Sequence, residues 1–282
     1  MSLLFSSTVG AFYRVPTVRR FLWRGWYQFL ARWYPDTQWT FMNYGHRPTH
    51  GAMPFALAPE DEADRSCIQL YQLVAGSVDL AGREVLEVGS GRGGGASFVA
   101  RYLRPSRVVG VDLSPLAVAF CRARHRLPGL SFEVGNAECL AFDAASFDAV
   151  VNVESSHCYG DLSAFVREVQ RVLRPNGYLL YADFRARRDL DDWRNTLSSS
   201  LRLVLERDIT PGVLAALDVD DDRKSSLINQ RVARPLVGAF RQFAALRGTA
   251  LYDKFRDGSV VYRAFVFQKT RASSAACAGA AS

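Results

Sequence analysis

The chain has 282 residues, with 35 Lys+Arg against 28 Asp+Glu, a net charge of +7 and 49% hydrophobic residues. This balance excludes a disordered or fibrous chain, and the length is ample for one large domain with a buried core. Cys67, Cys121, Cys139, Cys158 and Cys277 form no CxxC pair. That argues against a zinc site and a disulfide scaffold, and it fits a reducing, cytoplasmic setting. No apolar run approaches the roughly 18 residues of a membrane span.

The charge is uneven. Arg14, Arg19, Arg20, Arg24 and Arg32 precede Asp36 with no acid among them, so +5 of the +7 lies there, beside ten aromatic residues. Only three of the 35 cations are lysine. Beyond residue 36 the chain is nearly balanced and lacks the basic stripe of a nucleic-acid binder, so no nucleic-acid partner is expected. Within 8–34, apolar residues recur at three- and four-residue spacing (Phe12, Val15; Leu22, Trp26, Phe29, Leu30, Trp33), which predicts one or two amphipathic helices. Basic, Trp-rich helices suit a membrane surface or a greasy ligand. Residues 1–59 are therefore assigned to an arm and loop acting as a lid, with peripheral membrane contact expected. A helix is expected over 60–78.

From Arg83 short apolar runs alternate with helical stretches. Strands are predicted at 84–88, 107–111, 130–134, 147–153 and 177–183, with helices near 93–103, 115–126 and 161–173. This alternation predicts an α/β fold, a parallel sheet with helices on both faces. Residues 60–184 form its core. Residues 185–249 read as a helical insertion over the acceptor, broken at Thr210-Pro211-Gly212 and at the acids of 218–222. A hairpin over 250–270, with strands at 250–255 and 260–268 around Arg256-Asp257-Gly258, adds antiparallel strands to the sheet. The tail 271–282 is small and polar, as in disordered segments.

The strongest local signal is Glu87-Val88-Gly89-Ser90-Gly91-Arg92-Gly93-Gly94-Gly95, a strand running into a glycine-rich turn before a helix. Glycines there let the backbone approach a ligand closely. Asp112 ends the next strand, in position to accept from ribose hydroxyls. A dinucleotide would use Asp112 equally well, and the choice turns on Glu87, whose carboxylate crowds a pyrophosphate but favours a cation. Ser114 and Pro115 read as the cap and first residue of the following helix.

E-x-G-x-G-x-G followed by a strand-end Asp resembles the signature of class I methyltransferases that use S-adenosylmethionine (SAM). The resemblance implies a Rossmann-like sheet and SAM as cofactor. It places Glu87, Gly89, Ser90, Gly91, Gly93, Asp112 and Leu113 around the cofactor. Asn136 and Ala137 follow the third strand, where the family usually has Asp, and an amide oxygen can still accept from the adenine amino group. Asn152 and Glu154 end the fourth strand and are assigned to the cofactor side.

His157 follows in the same segment and is the candidate general base for an alcohol acceptor. Asp183, ending the fifth strand, is assigned to orient it. The segments 154–157 and 182–184 resemble E-S-x-H and A-D-F of O-methyltransferases acting on sugar and polyketide hydroxyls. Segments 93–96, 124–130, 152–159 and 171–178 resemble the mycobacterial phthiotriol/phenolphthiotriol dimycocerosate methyltransferases, over roughly residues 17–268. That family O-methylates a polyketide-derived lipid, which implies a hydrophobic acceptor. Its F-x-N-W-A-Y segment resembles 41–46 more loosely and makes Tyr44 the candidate to close over the methionine end of SAM. Departures at 44–46, 90–92 and 136 point to a different acceptor. Two alternatives remain open: C-methylation of a prenyl or sterol-like acceptor, and a cyclase or binding module that does not methylate. No carboxylate cluster for a metal is apparent, and His125, at a basic helix end, reads as solvated.

Overall fold

Short apolar runs form the first four strands, of five to seven residues each, and the stretches between the strands form the covering helices. The computed structural model describes residues 39–48 and 56–270. The expectations for the arm before residue 39 and for the tail after residue 270 lie outside them. A short 3-10 turn (Pro59–Asp64) leads into α1 (Arg65–Ala75). There follow β1 (Glu84–Val88), α2 (Gly94–Tyr102), β2 (Arg107–Asp112), α3 (Pro115–Arg124), β3 (Leu130–Val134) and β4 (Phe147–Val153). The chain continues through α4 (Leu162–Val172), β5 (Leu173–Ala186), α5 (Leu190–Ser198), β6 (Arg202–Asp208), α6 (Thr210–Arg231), α7 (Val237–Phe243), α8 (Ala250–Arg256) and β7 (Val260–Gln268).

The seven strands form one sheet in the order β3-β2-β1-β4-β5-β7-β6. β1 to β5 run parallel, and β7 lies antiparallel between β5 and β6. The strand order reverses between β1 and β4, and that reversal opens a crevice at the carboxyl ends of the strands. Alternate residues of each strand face opposite layers. Val85, Val108, Ala149, Val151 and Leu180 pack towards Ile68 of α1, Phe98 of α2 and Val118 of α3. Leu86, Val109, Val150 and Leu179 pack towards Phe165 and Val169 of α4 and Trp193 and Leu197 of α5. Among the described residues no helix is long and apolar enough to cross a membrane.

Two sequence expectations are corrected. The antiparallel pairing at the end of the chain is present, but the partner of β7 is β6, from the stretch read as helical, while 250–255 is helix α8. The buried residues of α8, Tyr252 and Phe255, lie three apart and so share a helix face; in a strand they would point to opposite sides. Thr249 caps this helix by accepting from the Tyr252 N–H. The expected breaks at 210–212 and 218–222 both fall inside one helix, α6. Pro211 sits in its first turn, where no N–H is needed. Asp218 pairs with Arg247 at 3.0 Å and Asp220 with Arg223 at 3.7 Å, which offsets the run of acids.

The β7 register puts Phe265 beneath α5, with its ring 5.2 Å from Trp193 and 5.6 Å from Phe267. Phe265→Ala is expected to lower the unfolding free energy by about 3–5 kcal/mol. Urea denaturation would read this as a lower midpoint at unchanged slope.

Candidate functional site

The turn after β1 is held open by backbone geometry. Gly89 has φ +79°, and a Cβ there would fall 1.8 Å from Ser155 Oγ. Gly95, at the start of α2, leaves room for two side chains: a Cβ there would lie 2.1 Å from Tyr71 Cζ and 2.3 Å from Glu87 Oε1. Glu87 is buried on the α1–α2 side of β1 and accepts a hydrogen bond from Tyr71 OH at 2.6 Å. Its Oε2 is buried with no hydrogen-bond partner.

Asp112 closes the loop from the next strand, as Oδ2 accepts from Gly91 N at 2.9 Å and Oδ1 from Ser114 N at 2.8 Å. Ser114 in turn caps α3 by accepting from Ala117 N, so the carboxylate of Asp112 is not needed as a cap. Asn136 forms a turn after β3, its side-chain oxygen accepting from Glu138 N at 3.1 Å.

Between these elements lies a cleft with about 1030 Å³ of empty space, partly open to solvent. Gly89, Ser90, Gly91, Asp112, Leu113, Asn136, Ala137 and Glu154 all line it. Glu87, Gly93, Asn152 and Tyr44 do not appear on its wall. The first three stand behind it. Gly93 lets His125 and Phe132 approach, since a Cβ there would fall 2.7 Å from His125 Cδ2 and 2.9 Å from Phe132 Cζ. Asn152, fully buried, donates to Val88 O and Tyr159 OH, both at 2.8 Å, and so ties the ends of β1 and β4 together.

Tyr44 belongs to an extended strap, residues 39–48, that crosses above the cleft. Its backbone N–H donates to Glu154 Oε1 at 2.8 Å, and its ring packs on Phe184 and Phe255 at 5.6 and 5.9 Å. The strap residues on the cleft wall are Thr40, Phe41, Met42 and Asn43. A second, larger space of about 2840 Å³, also open to solvent, lies on the other side of the strap. Phe41, Met42, Tyr44, Ile228, Phe240 and Phe243 line it together with Arg124, Arg223, Lys224 and Arg231.

The β4–β5 register sets Asn152 opposite Tyr181 and Val153 opposite Ala182. Asp183 therefore comes level with the exit of β4. His157 N donates to Asp183 Oδ2 and His157 Nδ1 lies against Asp183 Oδ1, both at 2.9 Å. Burial opposes a charged imidazole, but the Cys158 sulfur and the Asp183 carboxylate outweigh it, so the His157 pKa stands above its ordinary 6.5. Burial also opposes the Asp183 charge, and the Arg185 guanidinium and His157 hold that carboxyl well below the usual range. An imidazole and a fixed carboxylate thus meet behind a cleft wall formed by Glu154 and Cys158, and neither His157 nor Asp183 lines the cleft itself. Such a pair can take a proton from an alcohol.

Three features escaped the sequence. Arg92 is buried on the cleft wall with its guanidinium 4.3 Å from the Phe120 ring and 5.2 Å from Trp39. Tyr71 of α1 supplies the partner of Glu87, and apart from its helical spacing the sequence carries no signal for that role. His125, expected in solvent, is buried under the glycine loop with Nε2 2.9 Å from Arg92 O. Burial lowers its pKa. Among the described residues no group of three or more His, Cys, Asp or Glu could hold a metal ion.

A family model described as a methyltransferase domain matches residues 86–181. Over 249 residues the chain is 39% identical to a phthiotriol/phenolphthiotriol dimycocerosates methyltransferase of Mycobacterium tuberculosis, covering 88% of this chain and 92% of that protein. It is likewise 39% identical over 246 residues to a fatty-acid O-methyltransferase of Mycolicibacterium smegmatis, covering 86% and 88%. Among solved structures, a geranyl diphosphate C-methyltransferase from Streptomyces coelicolor, in complex with S-adenosyl-L-homocysteine, superposes with a TM-score of 0.60. That match has 20% identity and covers 86% of this chain and 98% of that one. The [4+2]-cyclase SpnF superposes with a TM-score of 0.64 at 20% identity, covering 87% and 94%. At that identity the likeness is one of fold.

Burial raises the Glu87 pKa to about 8, against the opposing hydrogen bonds from Tyr71 and the Ala96 backbone. The folded state then holds this proton between roughly pH 4.5 and 8 while the unfolded state releases it, so stability falls as pH rises across that window. Glu87→Gln should flatten this fall in the ligand-free protein. The unfolding free energy, measured by denaturation at pH 5 and pH 8, should differ less in the variant than in the wild type.

Proposed function

Because this chain belongs to the SAM-dependent methyltransferase family, we propose that it methylates an oxygen of a hydrophobic lipid-, polyketide- or glycoside-type acceptor, with His157 as general base. The observation that carries the reading is the His157–Asp183 pair at the exit of β4, next to the cleft. SAM supplies an electrophilic methyl group on a sulfonium.

The residues of this chain fit that cofactor. The unpartnered Oε2 of Glu87 suits the ammonium end, with Tyr71 bracing the carboxylate. Asp112 has lone pairs left for a ribose diol. Gly89, Ser90, Gly91 and Leu113 bring backbone close to the ligand, while Asn136 and Ala137 flank the adenine end. Glu154 holds the strap beside the sulfonium end through its bond to Tyr44 N. Gly93 and Asn152 act through packing behind the wall, and Tyr44 on the side of the larger space.

The acceptor oxygen would receive the methyl group that SAM supplies when bound, leaving the neutral thioether, and the hydroxyl proton would pass to His157. With Nδ1 turned to Asp183, Nε2 is the nitrogen that receives it. Asp183 stabilises the imidazolium and keeps its own charge. The larger space beyond the strap, walled by Ile228, Phe240 and Phe243, suits an apolar tail. Of the two relatives named above, one is named for phthiotriol/phenolphthiotriol dimycocerosates and the other as a fatty-acid O-methyltransferase, which supports this choice over prenyl C-methylation or a cyclase. The fatty-acid relative also favours a second reading, a carboxylate acceptor, which has no proton to lose and needs no base. The basic, aromatic residues before Asp36 are assigned to meeting the acceptor at a membrane surface. Deleting residues 1–35 should weaken binding to lipid vesicles and leave SAM affinity unchanged.

His157→Ala should lower kcat on a long-chain secondary alcohol by about 10²–10⁴-fold, with SAM affinity by calorimetry kept within a few fold. In the wild type kcat should rise with pH along a limb centred above 6.5, because a base with a raised pKa is unprotonated only at higher pH. That limb should vanish in the variant. Full turnover of His157→Ala on alcohols would remove the base, and preferential turnover of fatty acids would select the carboxylate reading.

A further inference from the structure

We infer that Arg185 is a positioning residue for the proposed base: it shares the Asp183 carboxylate with His157 and so weakens that carboxylate's hold on the imidazole proton. The inference rests on the reading of His157 as base.

A buried carboxylate with a single histidine partner would hold that histidine protonated, and a protonated imidazole cannot accept. Here Asp183, whose side chain is fully buried, has a second counter-charge. Arg185 Nη1 lies 3.3 Å from Asp183 Oδ2. The two residues are two apart on β5, so their side chains leave the same face of the strand.

Arg185 is held in place on every side. Nη1 donates to Phe184 O at 2.6 Å, Nη2 donates to Ser156 Oγ at 2.8 Å, and the guanidinium lies 4.9 Å from the Trp193 ring. Ser156 Oγ then donates to Asp183 Oδ2 at 2.7 Å. Beneath it, Trp193 Nε1 donates to Tyr181 OH at 3.0 Å, and Tyr181 OH contacts Ser156 Oγ. In this chain every hydrogen points towards Asp183, and Phe184 N adds another donor at 2.9 Å to Oδ1. Arg185 therefore offsets part of the Asp183 charge that would otherwise act on His157 alone. Among the described residues, the other ionisable groups that bear on the pair are Cys158, Glu154, held in turn by Tyr262 OH and Tyr44 N, and Tyr181 below Ser156. None of them brings a second positive charge.

The test is an NMR titration of the His157 ring in the full-length protein, its signal assigned by its loss in His157→Gln. Arg185→Gln should move the midpoint to higher pH by about one unit or more, the direction and size expected for losing a nearby positive charge. Arg185→Lys, which keeps the charge, should stay close to wild type. The alkaline limb of kcat should move with the ring, while SAM affinity stays unchanged. Arg185→Met, an uncharged side chain that fills the space of the Arg stem, serves where the Gln variant does not fold. An unmoved midpoint in the neutral variants would overturn the inference, as would equal displacement in Gln and Lys variants, the pattern of a purely structural role. Because the ring is read directly, a base reading lost through a fully active His157→Ala leaves this result separately interpretable.

Discussion

Four carboxylates stand at the carboxyl ends of β1, β2, β4 and β5, and a carboxylate withdrawn from water must find donors or give up its charge. Each meets that constraint differently. Asp183 gathers backbone, hydroxyl and imidazole donors together with a guanidinium, and it is held well below the usual carboxylate range. Burial lifts the other three: Glu87 to about 8, Glu154 to about 7 and Asp112 to about 6. The site is thereby divided. Asp183 keeps a permanent charge beside His157, while the other three are carboxyls whose ionisation depends on what lies next to them. A ligand with an ammonium, a sulfonium and a diol would supply what those three lack, in keeping with the proposed placing of the family's cofactor in this crevice.

The strap over residues 39–48 turns two spaces into one functional unit. It is pinned from four elements: Gly94 N to Thr40 O, Tyr44 N to Glu154 Oε1, His46 N to Ser66 O and Arg47 N to Gly212 O. Phe41, Met42 and Asn43 face both the cofactor cleft and the larger space. Any change in the strap would therefore alter the walls of both spaces. Glu154 sits at the joint, in a left-handed backbone conformation of φ +48° that a residue with a side chain adopts at a cost. Tyr262 OH, from β7, shares its Oε1 with the strap, so the last strand of the sheet also bears on this closure.

Much of this was legible in the chain. The parallel strands appear where apolar runs alternate with helical stretches, and three of the five, at 84–88, 130–134 and 147–153, have the expected bounds. The glycine turn, Asp112, and the convergence of His157 with Asp183 follow from strand ends brought to one edge of a parallel sheet. The errors share a cause. The segments 202–208 and 250–255 are short and lie at the sheet edge or on its cover, where pairing and packing outweigh local pattern. Asn152 and Gly93 looked like ligand contacts because they sit in the right motif. Which way a strand-end side chain turns, towards the cleft or back into the layer, depends on neighbours far away in sequence, here Val88, Tyr159 and His125. Tyr44 and the strap residues that line the cleft were separated for the same reason.

By itself the sequence determined the alternating sheet, the turn that only glycines can make, and the order in which acids arrive at the strand ends, because all three depend on periodicity and local backbone freedom. The tertiary structure alone decided how each acid is charged. That depends on desolvation and on partners drawn from separate elements: Tyr71 from α1 for Glu87, Tyr262 from β7 for Glu154, and Arg185 with the Ser156–Tyr181–Trp193 chain for Asp183. Electrostatic energy depends on distance in space and on the depth of burial, and neither is written in the spacing of residues along the chain.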